Sequence, residues 1–471
     1  MAAARTESSI KTPVRPGQQA APKAPPGPRG HRLAGSLLEV RRDRLNFVTR
    51  ATRNYGDIVG FRMGPKRLYL LGHPDHARHV LCENHQNYSK GLGLAEAKPL
   101  LGEGLLTSEG ELWSSQRRLL QIAFQSGHLE QLSNAMVNAA LSLVKRWETY
   151  AKRADYFDVS REMVHLTLSI LDATLLRADL SAHVEQIGRD INLIAGWAMS
   201  RMAAVLKLPL QVPTPKNLKA RKALARMELV VERAVRNRRL RQPDGEVDIL
   251  SLLLSHSVQM GGHGSSDKQI RDEIMTFLVA GHETTASVLI WTWYLLSLHT
   301  EAEQRLHEEL DSVIGSGPPS ACDLPSLVYT RMIVEEAMRL YPPVWLIPRK
   351  AIIEDTIGGF RIPPRSDTLL SVYSIHRHPS FWERPDSFEP ERFAPNKNSK
   401  RAPCSYLPFG SGSRSCIGSR FGLMEAMLVI AVVARRFHLR LLPSYIMEPD
   451  ASLTLRPRQG LLMKVIERKQ H

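Results

Sequence analysis

Phe409-Gly410-Ser411-Gly412-Ser413-Arg414-Ser415-Cys416-Ile417-Gly418 sets three glycines in nine residues around one cysteine, just ahead of an apolar helical pattern that starts near Ser419. Glycine takes backbone angles closed to other residues, so this run can turn tightly enough to aim several N–H groups at one sulfur. The helix that follows begins beside that sulfur, and its positive end favours the ionised thiol. A thiolate held this way suits an axial iron ligand: its electron donation favours O–O cleavage, and hydrogen bonds to it temper that donation. A cysteine that merely fills space needs neither the glycines nor a nearby cation. We expect that packing role for Cys82, Cys322 and Cys404, which lie far apart without a CxxC pair and form neither a disulfide framework nor a zinc ribbon.

Upstream, Ala280-Gly281-His282-Glu283-Thr284-Thr285 interrupts a strongly apolar helical pattern between Ile274 and Leu298. A glycine inside a helix costs about 1 kcal/mol against alanine, and buried polar residues add to the expense. Such local rule-breaking is expected at functional sites. An acid beside a hydroxyl, facing a cavity, can organise water and relay protons. Thr284 can equally bond back to the carbonyl four residues earlier. A zinc-protease reading of His282-Glu283 fails, because position 286 is alanine where HExxH needs its second histidine.

Glu336 and Arg339, three apart, share a helix face ending just before Pro342-Pro343, and Pro390-Glu391-Arg392-Phe393 follows about fifty residues later. Alone, the first pair would read as a surface salt bridge worth under about 1 kcal/mol. Trp113 and Arg117 stand four apart at the start of a helix. His376 and His378, within His376-Arg377-His378-Pro379, are read as braces of a loop rather than metal ligands.

In sequence order these segments resemble the signatures of the cytochrome P-450 family, and the likeness in layout runs from about Pro25 to near the C-terminus. The resemblance implies that Cys416 is the proximal ligand of a haem b, with Phe409 packed beside the sulfur and Gly418 closing the motif. It implies that Arg414, Trp113, Arg117 and Arg349 serve the haem propionates, for which indole N–H and guanidinium groups are suitable donors. Thr284 and Glu283 match the hydroxyl and acid of the oxygen-binding motif. Glu336, Arg339 and Arg392 match a structural trio.

The expected fold is therefore mainly α with a minor antiparallel β region: a flexible Pro/Ala-rich arm over 1–35 and one haem-binding monooxygenase domain over 36–471. Tyr55–Leu71 reads as two short strands around Gly64-Pro65, and residues about 419–437 as a final helix. The expected activity inserts one oxygen atom from O2 into an apolar organic substrate. The alternative is a haem-thiolate isomerase or dehydratase that needs no external electrons. By family layout the cavity is lined by Leu92–Leu101, Met199–Leu206, the helix around Val279, and Val344–Ile347. These are largely apolar, which suits a fatty acid, terpenoid or polyketide, and the layout resembles fatty-acid and terpenoid hydroxylases.

An apolar share of 43% and a charged share of 23% exclude a disordered chain. The net charge of +16 admits nucleic acid, an anionic membrane or an acidic protein as partner. Lys and Arg are scattered and no zinc-finger spacing occurs, so nucleic acid is not expected. No flavin- or iron–sulfur-binding segment is visible; electrons are expected from a separate ferredoxin or flavodoxin with an NAD(P)H-dependent reductase. Arg118, Lys400, Arg401 and Arg420 are the candidate docking cations. We expect a monomer without a transmembrane segment. Met1–Ala20 lacks the apolar core of a secretory signal. The expected address is cytoplasmic, with a mitochondrial one, suggested by Arg5, Lys11 and Arg15, as the alternative.

Overall fold

The computed structural model describes residues 23–180, 183–202, 208–240, 248–259 and 266–468. Ile58–Met63 and Lys66–Leu71 form an antiparallel hairpin, turning through Gly64 at φ +59°. Asp367–Ser371, Leu346–Ala351 and Tyr88–Lys90 extend it, in that order, to a five-stranded sheet. The sheet is not wholly antiparallel as expected. Lys66–Leu71 and Asp367–Ser371 run parallel, which their placement permits: the helical body lies between them in sequence and supplies the long crossover a parallel pair needs.

Residues 1–22 of the expected flexible arm lie outside the described residues. From Lys23 onward the chain is fastened rather than loose. Lys23 bridges Phe360, Gly60 N donates to Pro26 O at 2.8 Å, and Gly35 bridges Met63. Glycine explains this docking: a Cβ on Gly27 would lie 1.9 Å from Gly60 O, so only a bare backbone can approach the strand this closely. The segment from Lys23 to Gly35 is therefore docked on the sheet.

The helical body is built around two helices that are apolar on nearly every face. In Ser419–Arg436 the run Leu428–Val433 is buried throughout, and in Glu283–Leu298 most residues from Thr285 to Leu296 are buried. A helix without a polar face belongs inside other helices. Ser126–Arg153 and Val328–Leu340 pack against the first of these helices, and Val159–Leu171 and again Val328–Leu340 against the second. Fully buried Trp147 meets Phe157 and Phe437 edge-on or tilted, tying Ser126–Arg153 to a small sheet of Phe157–Asp158, Leu462–Glu467 and Phe437–Leu441. By length and apolarity the helical stretch 267–298 could cross a membrane, yet most of it is buried inside the molecule.

That stretch is two helices, Asp267–Ala280 and Glu283–Leu298, meeting at Gly281-His282. A Cβ on Gly281 would lie 2.8 Å from Phe277 O and 3.0 Å from Leu171 Cδ1, so the glycine lets Val159–Leu171 close onto the break. Irregular backbone over 208–214 leads into Pro215–Leu240. The hydroxyl of Ser266 accepts from Gln269 N and caps Asp267–Ala280.

Candidate active site

The glycine-rich loop turns as its composition requires. Gly410 and Gly412 take φ +68° and +72°, and a Cβ on Gly412 would lie 1.9 Å from Leu81 O. The turn closes with Cys416 N donating to Phe409 O at 2.8 Å, and Ser419–Arg436 starts three residues on. Burial pushes the Cys416 thiol up, while the Gly418 N–H and the Arg117 guanidinium pull it down. Yet Cys416 retains exposed surface. The thiol is thus accessible although its surroundings desolvate it.

Beside it lies a concentration of positive charge. Arg117 Nη1 donates to Ser415 O at 2.8 Å, the carbonyl preceding the cysteine. The Trp113 ring has Arg117 at 5.8 Å and Arg414 at 5.5 Å from its centroid. Arg414 grips Glu109 through two nitrogens, at 2.5 and 3.3 Å. Arg349 is buried in the strand Leu346–Ala351; burial first, then Arg414, lowers its pKa to about 10. Lys90, facing Arg349 across the sheet, donates its ammonium to Leu105 O and Ser108 O at 2.8 and 2.5 Å. Burial pushes Lys90 down to about 7, against the pull of Glu109.

Lys90, Arg349 and Arg414 act on the carboxylate of Glu109, and Arg117 lies beside the thiol, an arrangement that calls for further anions. A porphyrin bearing two propionates and an iron needs this donor set, so the residues present fit a haem. Lys90 and Glu109 were not foreseen: a lone lysine in Tyr88-Ser89-Lys90 has no local signature, and only its pairing across the sheet from Arg349 gives it a place.

The oxygen-helix pair divides. Thr284 Oγ1 donates to Ala280 O at 2.8 Å, across the break. Glu283 is buried and turned elsewhere: its Oε1 accepts from Thr454 Oγ1 at 3.0 Å and Arg456 Nη1 at 3.2 Å. His282 bonds Leu278 O through Nδ1 at 2.5 Å, and burial keeps its ring neutral.

The trio Glu336, Arg339 and Arg392 comes together beneath the loop. Arg339, wholly buried, makes five hydrogen bonds of 2.6–3.0 Å to both Glu336 oxygens and the carbonyls of His376, Pro385 and Ser387. Arg392 Nε sits 3.4 Å from Glu336 Oε1 as an ion contact without hydrogen-bond geometry. His376 uses both nitrogens: Nδ1 lies 3.2 Å from Arg339 O, and Nε2 accepts from Leu407 N at 2.7 Å. The trio is thereby linked to the start of the cysteine loop.

Of the expected cavity walls, Leu94–Leu101 packs on Val184–Met202, a Cβ on Gly93 would lie 3.1 Å from the Met202 sulfur, and Val279 and Trp345 are buried. Residues 203–206 lie outside the described residues. Among the docking cations, Arg118, Lys400 and Arg420 are exposed. Arg401 is half-buried and held against an aromatic ring. It lies 4.2 Å over the Phe393 ring and donates to Arg392 O at 3.0 Å, because its flat guanidinium can stack on aromatic faces.

A family model described as cytochrome P450 matches residues 25–464. Cyclooctatin synthase of Streptomyces melanosporofaciens is 37% identical over 430 residues, 91% of this chain and 92% of that protein. Cyclooctat-9-en-7-ol 5-monooxygenase of the same organism is 33% identical, covering 92% of this chain and 94% of that protein. Pentalenene oxygenase of Streptomyces avermitilis is 30% identical, covering 93% and 96%. The chain belongs to the cytochrome P450 family and is a monooxygenase of that family. Membership brings a haem with a cysteine thiolate ligand, dioxygen, an apolar substrate and redox partners.

Proposed function

We propose that Cys416 is the ligand of a haem b and that the enzyme hydroxylates a polycyclic terpenoid. The observation that carries the reading is the set Lys90, Arg349 and Arg414 around the Glu109 carboxylate, with Trp113 between Arg414 and Arg117 and Arg117 beside the thiol. The terpenoid class follows the names of the relatives and the apolar walls at Leu92, Val279 and Trp345.

When bound, the haem supplies one-electron and dioxygen chemistry. The chain's own residues do the rest. The cation cradle neutralises and orients two propionates, with Arg414 exchanging its hold on Glu109 for one of them. The Gly418 N–H tempers the sulfur. The Thr284 hydroxyl, which donates to Ala280 O at the helix break, would hold the proton at Oγ1 that oxygen chemistry at the haem needs. Glu283 sets the charge beside it. Apolar walls exclude water other than that serving proton delivery.

Electrons come from a separate ferredoxin or flavodoxin and its NAD(P)H-dependent reductase, received near Arg118, Lys400 and Arg420. The protein acts as a monomer. The Streptomyces relatives favour the cytoplasm as its address and give no support to a mitochondrial one.

The test is the carbon-monoxide spectrum of the reduced protein, followed by turnover of polycyclic diterpene alcohols under 18O2 with a surrogate ferredoxin system. A thiolate-type band lost in Cys416→Ala, and a product carrying one 18O, are expected. An unchanged band in Cys416→Ala overturns the ligand assignment. Product formed without NAD(P)H or label overturns the hydroxylase.

A further inference from the structure

We propose that Glu303, His307 and His438 form a binding site for a divalent transition-metal ion of the zinc class, on elements that contribute nothing to the site around Cys416. Glu303 and His307 stand four apart on the helix Thr300–Val313 and share a face. His438 comes from the strand Phe437–Leu441, and one ligand atom from each residue lies within 4.8 Å of the other two.

The site is built rather than incidental. Glu303 and His307 are only 6% and 7% exposed, whereas the His438 side chain is 31% exposed and leaves a route for an ion. His307 Nε2 is buried and has no hydrogen-bond partner among the described residues. A buried polar atom left unmade costs about 1–3 kcal/mol, and donation of the lone pair to a cation removes that cost. Burial, then Arg468, pushes His307 down to about 4, so the ring is neutral at pH 7 as a ligand must be. The two imidazoles lie edge to face, with centroids 4.7 Å apart. Two nitrogens and a carboxylate oxygen, with one side open for water, match the donors zinc takes.

An arginine competes for the carboxylate. Arg440 Nη1 donates to Glu303 Oε1 at 2.8 Å, and its Nη2 lies 3.4 Å from His438 Nδ1. The Arg440 side chain is 32% exposed and can turn into solvent when an ion takes its place. Arg468, paired with Asp311 at 2.7 Å, flanks His307 and opposes its protonation more than Asp311 favours it.

A second cluster, Asp57, His73 and His378, differs on one decisive point. There each ring accepts a backbone N–H at Nδ1, from Asp75 at 3.1 Å and from Ser380 at 3.2 Å. Each Nε2 then carries the proton, and His378 directs its own at Asp57 Oδ1, 3.2 Å away. Those rings have no free lone pair to offer.

The haem-loaded, chelator-washed protein is dialysed against Zn2+, the bound metal is counted by plasma mass spectrometry, and affinity is measured against a chromogenic chelator. One zinc per chain is expected. His307→Leu, which keeps the volume filled, and Glu303→Gln should each weaken binding about 100-fold or more. Arg440→Leu should tighten it about fivefold, the worth of the competing ion pair. His378→Ala should leave it unchanged, with the haem spectrum reporting that every variant is folded. Absence of zinc uptake, uptake equal in His307→Leu, or uptake lost in His378→Ala overturns the site.

Discussion

Glu283 and Arg456 are joined at 3.2 Å, and the same guanidinium nitrogen of Arg456 donates to Asn192 Oδ1 at 2.8 Å. A carboxylate at the break in the oxygen helix, a cation from the hairpin of Pro449–Ala451 and Leu455–Pro457, and an amide on Val184–Met202 are thereby tied together. Glu283 Oε2 is buried with no partner among the described residues. Arg456 is therefore a positioning residue: together with Thr454 it fixes where the carboxyl next to Thr284 points.

Arg456→Leu should leave a buried carboxylate half-satisfied and destabilise the fold by about 1–3 kcal/mol, discounted because the arginine is partly exposed. Glu283→Gln with Arg456→Leu should cost less than the two changes summed. Urea unfolding of the four proteins of this double-mutant cycle measures the coupling. Strict additivity would mean that the pair is ornamental.

Thr284→Ala removes the hydroxyl at the helix break while leaving the cavity walls intact. Substrate should still shift the ferric band, and NAD(P)H should still be consumed. Product formed per NAD(P)H should fall by about two orders of magnitude, the lower range for a lost general acid. Thr284→Ser, which keeps Oγ, should recover most of it. If Thr284→Ala makes product as efficiently as the parent, the hydroxyl serves only as a helix brace to Ala280 O.

Arg339 is a cation with no exposure and five hydrogen bonds, so its removal strands Glu336 and three carbonyls at once. Arg339→Leu should cost more than about 3 kcal/mol and yield protein that retains little haem, since His376 and Leu407 carry the disturbance to the cysteine loop. Arg392→Leu loses only an ion contact to Glu336 and bonds to Glu389 and Arg384 O, and should be milder. Haem content per chain and thermal unfolding rank the two. The reverse order would remove Arg339 as the centre of the network.

What could be read in advance follows from how local each signal is. The loop at Cys416 announces itself because its glycines are adjacent and needed for backbone angles. The interrupted helix at Gly281 does so because polar residues break an apolar run. Glu283 was legible as an acid in the right place, but its partner Arg456 lies 173 residues later, and no spacing rule reaches that far. Lys90 owes its role to burial and sheet pairing, and Glu109 to its grip on Arg414 and on the Lys90 backbone N–H. Arg401, read as a docking cation, instead stacks on Phe393, since a basic residue in sequence carries no mark of which way it faces. The parallel strand pair and the docked segment from Lys23 are likewise set by long-range contact.

Glu273, unremarked in the sequence, gives the fold a pH dependence of predictable sign. Its Oε2 accepts from Leu105 N at 2.9 Å while Oε1 is buried without a partner among the described residues. Burial raises its pKa from 4.5 to about 7. Between those values the folded state binds the proton and the unfolded chain does not. Stability from this group is therefore complete below about pH 4.5 and is lost as pH rises through about 7, by up to about 3 kcal/mol. Lys90 acts in the other window: its pKa is depressed to about 7, so its contribution grows only above that pH. Glu273→Gln keeps an acceptor for Leu105 N and has no proton to lose. Urea unfolding at pH 5 and pH 8 should show the parent losing stability relative to Glu273→Gln, and the same comparison in a Lys90→Met background separates the part that runs through Lys90. Parallel profiles would mean that Glu273 is ionised throughout, its charge met by Lys90.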